Sequence, residues 1–322
     1  MADRVLGLIG LGHMGTPMAE RLVAAGHRVV GFDASPAGRE DAAARGIEVL
    51  ADAGQVGRAA QVVILMLPNS DIVESVAAQL AAIPAAERAV SIVVDMSSSE
   101  PERTRALAAR LAEDGIELVD APVSGGVVGA VGGTLTIMVG GSVAQFDDLA
   151  GILDALGSRV VRAGDVGAGH AVKALNNLMS AAHLLVSDEA AIAATRFGVD
   201  PEVFLAIVNT SSGRSGSTEL KLPRYVVPGT FDSGFSAALL EKDVRIATAL
   251  GRGLGLDMSL SDAVRERWEQ LNAELPAGAD HTEIIRPLER RAGVEVRDQS
   301  RADSDSSSAA SSGSVPVTPT EQ

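Results

Sequence analysis

The segment Gly10-Leu-Gly12-His-Met-Gly15 joins an apolar run, Val5 to Ile9, to an amphipathic stretch, Thr16 to Ala25. The run before it is short and apolar and reads as a buried strand. The stretch after it has helical spacing. A chain that passes from strand to helix through three glycines at this spacing has few options. Gly10 permits the tight turn, Gly12 lets a pyrophosphate approach the backbone, and Gly15 allows the helix to pack closely on the strand. Unpaired amides at the helix start then face the anion. Glycine-rich turns are common, so context decides the reading. Asp33 ends the next apolar run, Val29 to Phe32, about 20 residues on, where a carboxylate accepts ribose hydroxyls. It also repels a 2′-phosphate, and Ala34, Ser35 and Pro36 follow it with Arg39 the nearest arginine. The expected cofactor is NAD rather than NADP, held by Gly10, Leu11, Gly12, His13, Met14, Gly15 and Asp33.

Further strands are expected at Val62 to Leu67, Ser91 to Asp95, Glu117 to Val119 and Thr134 to Val139, with helical patterns between them. Such alternation predicts a doubly wound, mostly parallel sheet. After about residue 162 no strand is expected. A long run from Gly169 to Phe197 has helical spacing without proline, and Pro201 onward reads helical with breaks at Gly213 to Gly216 and Pro223 to Gly234. Leu239 to Gly251, Ser261 to Ala273 and Thr282 to Ala292 read as further helices. The fold class is therefore α/β: an N-terminal Rossmann-type domain over 1–163, an all-α domain over 164–297, and a long helix joining them. From Asp298 to residue 322 the chain is Ser-rich and nearly free of apolar residues, which predicts a disordered tail.

Composition narrows the function classes. Lys and Arg number 27 against 42 Asp and Glu, a formal charge of −15. That field repels nucleic acid and anionic membranes. With 2% aromatic residues there are few platforms for stacking bases, and the cores must be aliphatic. The chain has no cysteine, which excludes thiolate chemistry and suits a reducing compartment. The first residues lack a basic start, a long apolar core and a cleavage site, so no signal peptide is expected. No apolar stretch nears the roughly 20 residues that span a bilayer. A cytoplasmic enzyme is the expectation. His13, His27, His170, His183 and His281 lack paired metal-ligand spacing, and no metal is expected.

A dinucleotide fold does not specify a reaction; five further segments do. Asp120-Ala-Pro-Val-Ser124-Gly125-Gly126 sits beyond a strand end, where adjacent glycine amides can cradle a carboxylate and Ser124 adds a hydroxyl. Gly167-Ala-Gly169 leads into Lys173-Ala-Leu-Asn176-Asn177. Hydride transfer to a carbonyl builds charge on oxygen and needs a proton donor. Lys173 suits that role if Ala171, Val172, Ala174 and Leu175 bury it and lower its pKa. Asn177, one turn on, can hold the substrate oxygen or orient the amine. Asp95-Met-Ser97-Ser98 and Met66-Leu67-Pro68 end strands, and Phe235 leads to Lys242-Asp243. With the opening Gly7 to Gly15, these segments resemble the β-hydroxyacid dehydrogenases, the group containing 3-hydroxyisobutyrate dehydrogenase and tartronate semialdehyde reductase. The likeness runs from about residue 4 to 296, in the family's order.

The resemblance implies an NAD-dependent, 6-phosphogluconate dehydrogenase-like oxidoreductase that interconverts a small 3-hydroxy acid and its semialdehyde. It places Lys173 and Asn177 in catalysis, Ser124, Gly125 and Gly126 on the substrate carboxylate, and Leu67, Pro68, Ser98 and Lys242 near the cofactor. It also implies a homodimer or homotetramer. Ser98 stands where the family commonly has threonine, and Gly216 where many members have an aromatic residue after Ser-Gly-Arg. Asp280-His281-Thr282-Glu283 departs from the common small-residue version, and His281, Glu283 and Arg286 are candidates for a substrate's distal group. The alternatives are an imine reductase, against which Lys173 stands; a decarboxylating sugar-phosphate dehydrogenase, which expects a longer helical domain and a basic phosphate pocket; and a noncatalytic dinucleotide-binding protein.

Overall fold

The computed structural model describes residues 4–297; the expected disordered tail lies outside them. Its first part runs β1 (Val5–Ile9), α1 (Gly15–Ala24), β2 (Arg28–Phe32), α2 (Pro36–Ala44), β3 (Glu48–Val49), α3 (Ala53–Ala59), β4 (Val62–Leu65), α4 (Ser70–Ala81), β5 (Ile92–Asp95), α5 (Pro101–Glu113) and β6 (Glu117–Asp120). It continues through β7 (Val123–Ser124), α6 (Gly126–Gly132), β8 (Thr136–Gly140), α7 (Val143–Asp154) and β9 (Arg159–Gly164). The sheet order is β3-β2-β1-β4-β5-β6-β8-β7, with β9 beside β8. β1 to β6 pair in parallel, whereas β8 meets β6 and β7 antiparallel, so the sheet is mixed at one edge.

Both faces of the parallel part are covered, and alternation along each strand feeds two cores. Leu6, Leu8, Val62, Ile64, Ile92 and Val94 pack on one side with Met18 and Leu22 of α1. Ile9, Val63, Leu65 and Val93 pack on the other with Val56 of α3, Val73 and Leu80 of α4 and Leu107 of α5. The strand order reverses between β1 and β4, and ligands of open α/β sheets bind at such a switch point, outside the carboxyl ends of the strands.

The helices that follow are α8 (Ala168–Phe197), α9 (Pro201–Val208), a π-helix (Ser217–Val226), α10 (Ala237–Gly253), α11 (Ser259–Asn272), a 3-10 helix (His281–Ile285) and α12 (Arg286–Ala292). The break expected at Pro223 begins later, because the π-helix carries Pro223 inside it. A proline ring clashes with the carbonyl four residues back in an α-turn, and a wider turn moves that carbonyl away. Among the described residues, no helix is long and apolar enough to cross a membrane.

Contacts divide the described residues into two compact units, one running to Met179 and including Lys242–Arg265, the other Ser180–Glu241 with the residues from Glu266 on. The division by contacts falls inside α8 rather than at the end of β9. The first unit holds the whole sheet. The second is helical, with Leu205, Leu222, Val226, Trp268, Leu271, Ile284 and Ile285 among its buried residues.

Candidate active site

Gly10 has φ 101°, and a Cβ there would overlap the Met66 carbonyl oxygen. A Cβ on Gly15 would overlap the Gly10 carbonyl. These two positions set the close passage of β1 into α1 beside the end of β4. At Gly12 an added Cβ meets nothing, so the middle of the loop faces open space. His13 is exposed, and Met14 packs against the core. Asp33 anchors the loop from β2: Oδ2 accepts the Leu11 N–H at 2.7 Å, and Oδ1 accepts that of Ser35 at 2.7 Å. Each oxygen keeps acceptor capacity for a ribose hydroxyl. Arg39 turns to the Asp33 and Ala34 carbonyls, at 2.7 and 3.1 Å. Open space over Gly12, amides at the start of α1 and a loop-braced carboxylate together fit a dinucleotide.

At the neighbouring strand ends the Ser97 hydroxyl accepts the Leu67 N–H at 2.9 Å, joining the turns after β4 and β5. Lys242, on α10, donates to the Pro68 carbonyl at 3.1 Å and the Ser98 carbonyl at 2.8 Å. Three segments singled out from the sequence thus meet at one amine. The Ser98 side of this contact is its main chain; the hydroxyl that bridges the strand ends belongs to Ser97.

Asp120 begins the Asp120–Gly126 segment and is wholly buried. Its carboxylate accepts the N–H groups of Gly167 at 2.6 Å and His170 at 2.8 Å, which caps the start of α8. Burial pushes its pKa up from 3.8, opposed by His170 and these N–H groups. Gly169 is required here because a Cβ would overlap the Met138 carbonyl of β8. Ser124 ends β7, and Gly125 and Gly126 follow exposed at φ 133° and 59°.

Lys173 lies in the second turn of α8 and is half-buried. Burial holds its amine below the ordinary 10.5; Asp243 opposes the shift and Lys242 adds to it. The surroundings differ from those expected. Val172 and Leu175 are 44% and 40% exposed, because residues one or two apart on a helix do not face each other. Asn177 is buried, and its Nδ2 donates to Asp243 Oδ2 at 2.6 Å. Asp243 Oδ1 stands 3.4 Å from Lys242 Nζ and accepts no hydrogen bond among the described residues. Asp243 therefore links Asn177 to Lys242, and its charge acts on Lys173. Sequence reasoning passed over it as the neighbour of Lys242, although its place beside a flagged lysine was a usable signal.

The three candidates for a distal group are engaged within the helical unit. His281 is buried, its Nδ1 3.0 Å from Ser233 Oγ and 3.1 Å from the Phe235 carbonyl, and burial lowers its pKa to about 4. Glu283 Oε1 accepts the Asp280 N–H at 3.1 Å in a capping box, and its Oε2 pairs with Arg286 at 2.9 Å. Arg286 also stacks 4.3 Å from the Phe231 ring centre.

Residues 5–164 match the model of the NAD binding domain of 6-phosphogluconate dehydrogenase. Residues 167–288 match that described as NAD-binding of NADP-dependent 3-hydroxyisobutyrate dehydrogenase. The 2-(hydroxymethyl)glutarate dehydrogenase of Eubacterium barkeri is 36% identical over 291 residues, covering 90% of this chain and 97% of that one. The chain belongs to the β-hydroxyacid dehydrogenase family. As a β-hydroxyacid dehydrogenase it is an enzyme that uses a nicotinamide dinucleotide to oxidise hydroxy acids or reduce their semialdehydes. The mitochondrial 3-hydroxyisobutyrate dehydrogenase of Drosophila melanogaster is 34% identical, with 83% of each chain covered. The solved structure of Mycobacterium tuberculosis 3-hydroxyisobutyrate dehydrogenase with L-serine superposes with a TM-score of 0.81 at 31% identity, over 88% of this chain and 99% of that one.

Proposed function

We propose that this β-hydroxyacid dehydrogenase interconverts a small 3-hydroxy acid and its semialdehyde with NAD, with Lys173 as general acid and base. The observation that supports the reading is the cluster in which Asn177 donates to Asp243 at 2.6 Å and Lys242 reaches the Pro68 and Ser98 carbonyls, with burial holding the Lys173 amine one turn away below its ordinary 10.5. A bound nicotinamide would supply the hydride acceptor for oxidation and the hydride donor for reduction. Neutral Lys173 removes the hydroxyl proton during oxidation, and its protonated form returns that proton during reduction. Asn177 commits one amide N–H to Asp243 and keeps the second for the substrate oxygen. Ser124 and the exposed amides of Gly125 and Gly126 take the substrate carboxylate. Gly10 to Gly15, Asp33, Leu67, Pro68, Ser98 and Lys242 hold the cofactor, and Asp33 favours NAD.

Oxidation needs the neutral amine, so its rate rises with pH through a pKa below the ordinary 10.5. Reduction falls through the same pKa. Lys173→Ala is expected to abolish turnover and leave NADH affinity intact. The first assay is NADH absorbance with a panel that includes 3-hydroxyisobutyrate and 2-(hydroxymethyl)glutarate, the compounds in the names of two relatives. Full activity in Lys173→Ala, or silence across the panel with NADH bound, would overturn the reading. The absence of cysteine supports a cytoplasmic setting, and family membership supports a homodimer or homotetramer. A monomeric mass by light scattering would contradict the latter.

A further inference from the structure

One helical turn before Lys173, His170 takes no part in the chemistry above, yet it is only 1% exposed. Its ring stands between the ends of two strands. Nε2 is 3.1 Å from the Ser97 carbonyl oxygen and 3.7 Å from Asp95 Oδ2. Nδ1 is 2.9 Å from Thr104 Oγ1 of α5 and 3.8 Å from Asp120 Oδ2. A carbonyl oxygen only accepts, so Nε2 carries a proton and donates it to Ser97. Ser97 in turn accepts from Leu67 through its hydroxyl. Asp95 is fixed by the Ser97 N–H at 3.0 Å and the Ser99 hydroxyl at 2.7 Å. Asp120 is fixed by the N–H groups of Gly167, just before α8, and of His170 in its first turn. The titratable groups facing the imidazole are thus Asp95 from β5 and Asp120 from β6, while α5 supplies the Thr104 hydroxyl.

We propose that His170 is a positioning residue, which bolts the first turn of α8 to the ends of β5 and β6 and so sets where the Lys173 amine stands. The inference rests on the reading of Lys173 as acid and base. A polar bolt suits this place better than an apolar one. Apolar packing tolerates sliding, whereas bonds to the Ser97 carbonyl and the Thr104 hydroxyl fix rotation and register together. A displacement of 1 Å at a reacting group costs roughly 10²-fold in rate. A loosened first turn also admits water to Lys173, whose charged neighbours are Asp243 and Lys242 of α10.

The test uses His170→Ala, His170→Gln and Thr104→Val in the full chain. In His170→Ala, kcat is expected to fall by roughly 10²-fold, with NADH affinity unchanged. The pKa of the catalytic base in the pH profile should move up towards 10.5. The glutamine amide can still donate to Ser97, so His170→Gln should recover part of both losses. Thr104→Val, nearly isosteric, should move them in the same direction by less. If His170→Ala does not fold, the other two variants decide. Unmoved kcat and pH profile with only a lower Tm would overturn the proposal and leave His170 a packing residue. Lys173→Ala separates the two readings: if it keeps activity the acid–base assignment falls, and if it alone is inactive only the positioning role falls.

Discussion

Asp188, in the second half of α8, is wholly buried, and among the described residues neither carboxylate oxygen has a hydrogen-bond partner. Burial first and the Glu289 carboxylate next push its pKa well above 3.8; Lys221 opposes them and Glu189 adds to them. The folded chain therefore keeps a proton that the unfolded chain releases near pH 3.8. The resulting stability is full below that pH and is lost as pH rises through the folded value. Asp188→Asn keeps the shape and removes the charge. Its Tm should exceed the parent's by a few °C near about pH 8, the gap closing towards about pH 4. Parallel Tm profiles measured by circular dichroism would show that Asp188 carries no such proton. Asp33 makes a second prediction at this scale. Asp33→Ser removes the carboxylate that meets a 2′-phosphate and should shift the ratio of kcat/KM from NAD towards NADP. Because Leu11 and Ser35 also lose their acceptor, total activity should fall as well.

Among the elements, the passage from β1 into α1 shows how backbone contact leaves room for one residue type. Gly15→Ala places a Cβ on the Gly10 carbonyl, and the loop must move away from the end of β4. NADH titrated by fluorescence should bind at least about tenfold more weakly, roughly 1.4 kcal/mol, while far-UV circular dichroism stays unchanged. Equal affinity would mean that the loop has slack the contacts do not reveal. α8 starts under a similar constraint, since Gly169 lets its first turn lie on Met138 and Asp120 caps it. Its tight start on the sheet is what turns a lysine and an asparagine one turn apart into a defined pair.

For the whole molecule, the two compact units share three continuous helices: α8, α10 and α11 each pass from one unit to the other. Unfolding either unit frays helices of the other, so one cooperative transition is expected. Trp268 is the chain's single tryptophan, wholly buried, with Nε1 donating to the Ala181 carbonyl at 3.3 Å. It reports on the helical unit, whereas NADH binding reports on the sheet unit. Tryptophan fluorescence and circular dichroism should give one denaturation midpoint, and NADH at about 100 times its Kd should raise both readouts by about 2.7 kcal/mol. Two separated midpoints would show that the shared helices break independently.

Local periodicity made much of this molecule legible in the sequence. Strands such as β1 and β4 bury both faces and read as apolar runs, the glycine loop lies between a strand and a helix, and Lys173 and Asn177 sit one turn apart. All of these are fixed by forces acting within a few residues. β3 spans two residues, and β9 alternates exposed with half-buried positions without one fully buried residue. Neither carries an apolar signal strong enough to read. The polar groups that order the site were less visible still. Asn177 meets Asp243 across 66 positions of chain, and His170 meets Ser97 across 73. A buried aspartate or histidine has the same letter as a solvated one. Only the packing of distant strand ends against α8 and α10 removes water from these groups, and that loss of water makes their partners obligatory.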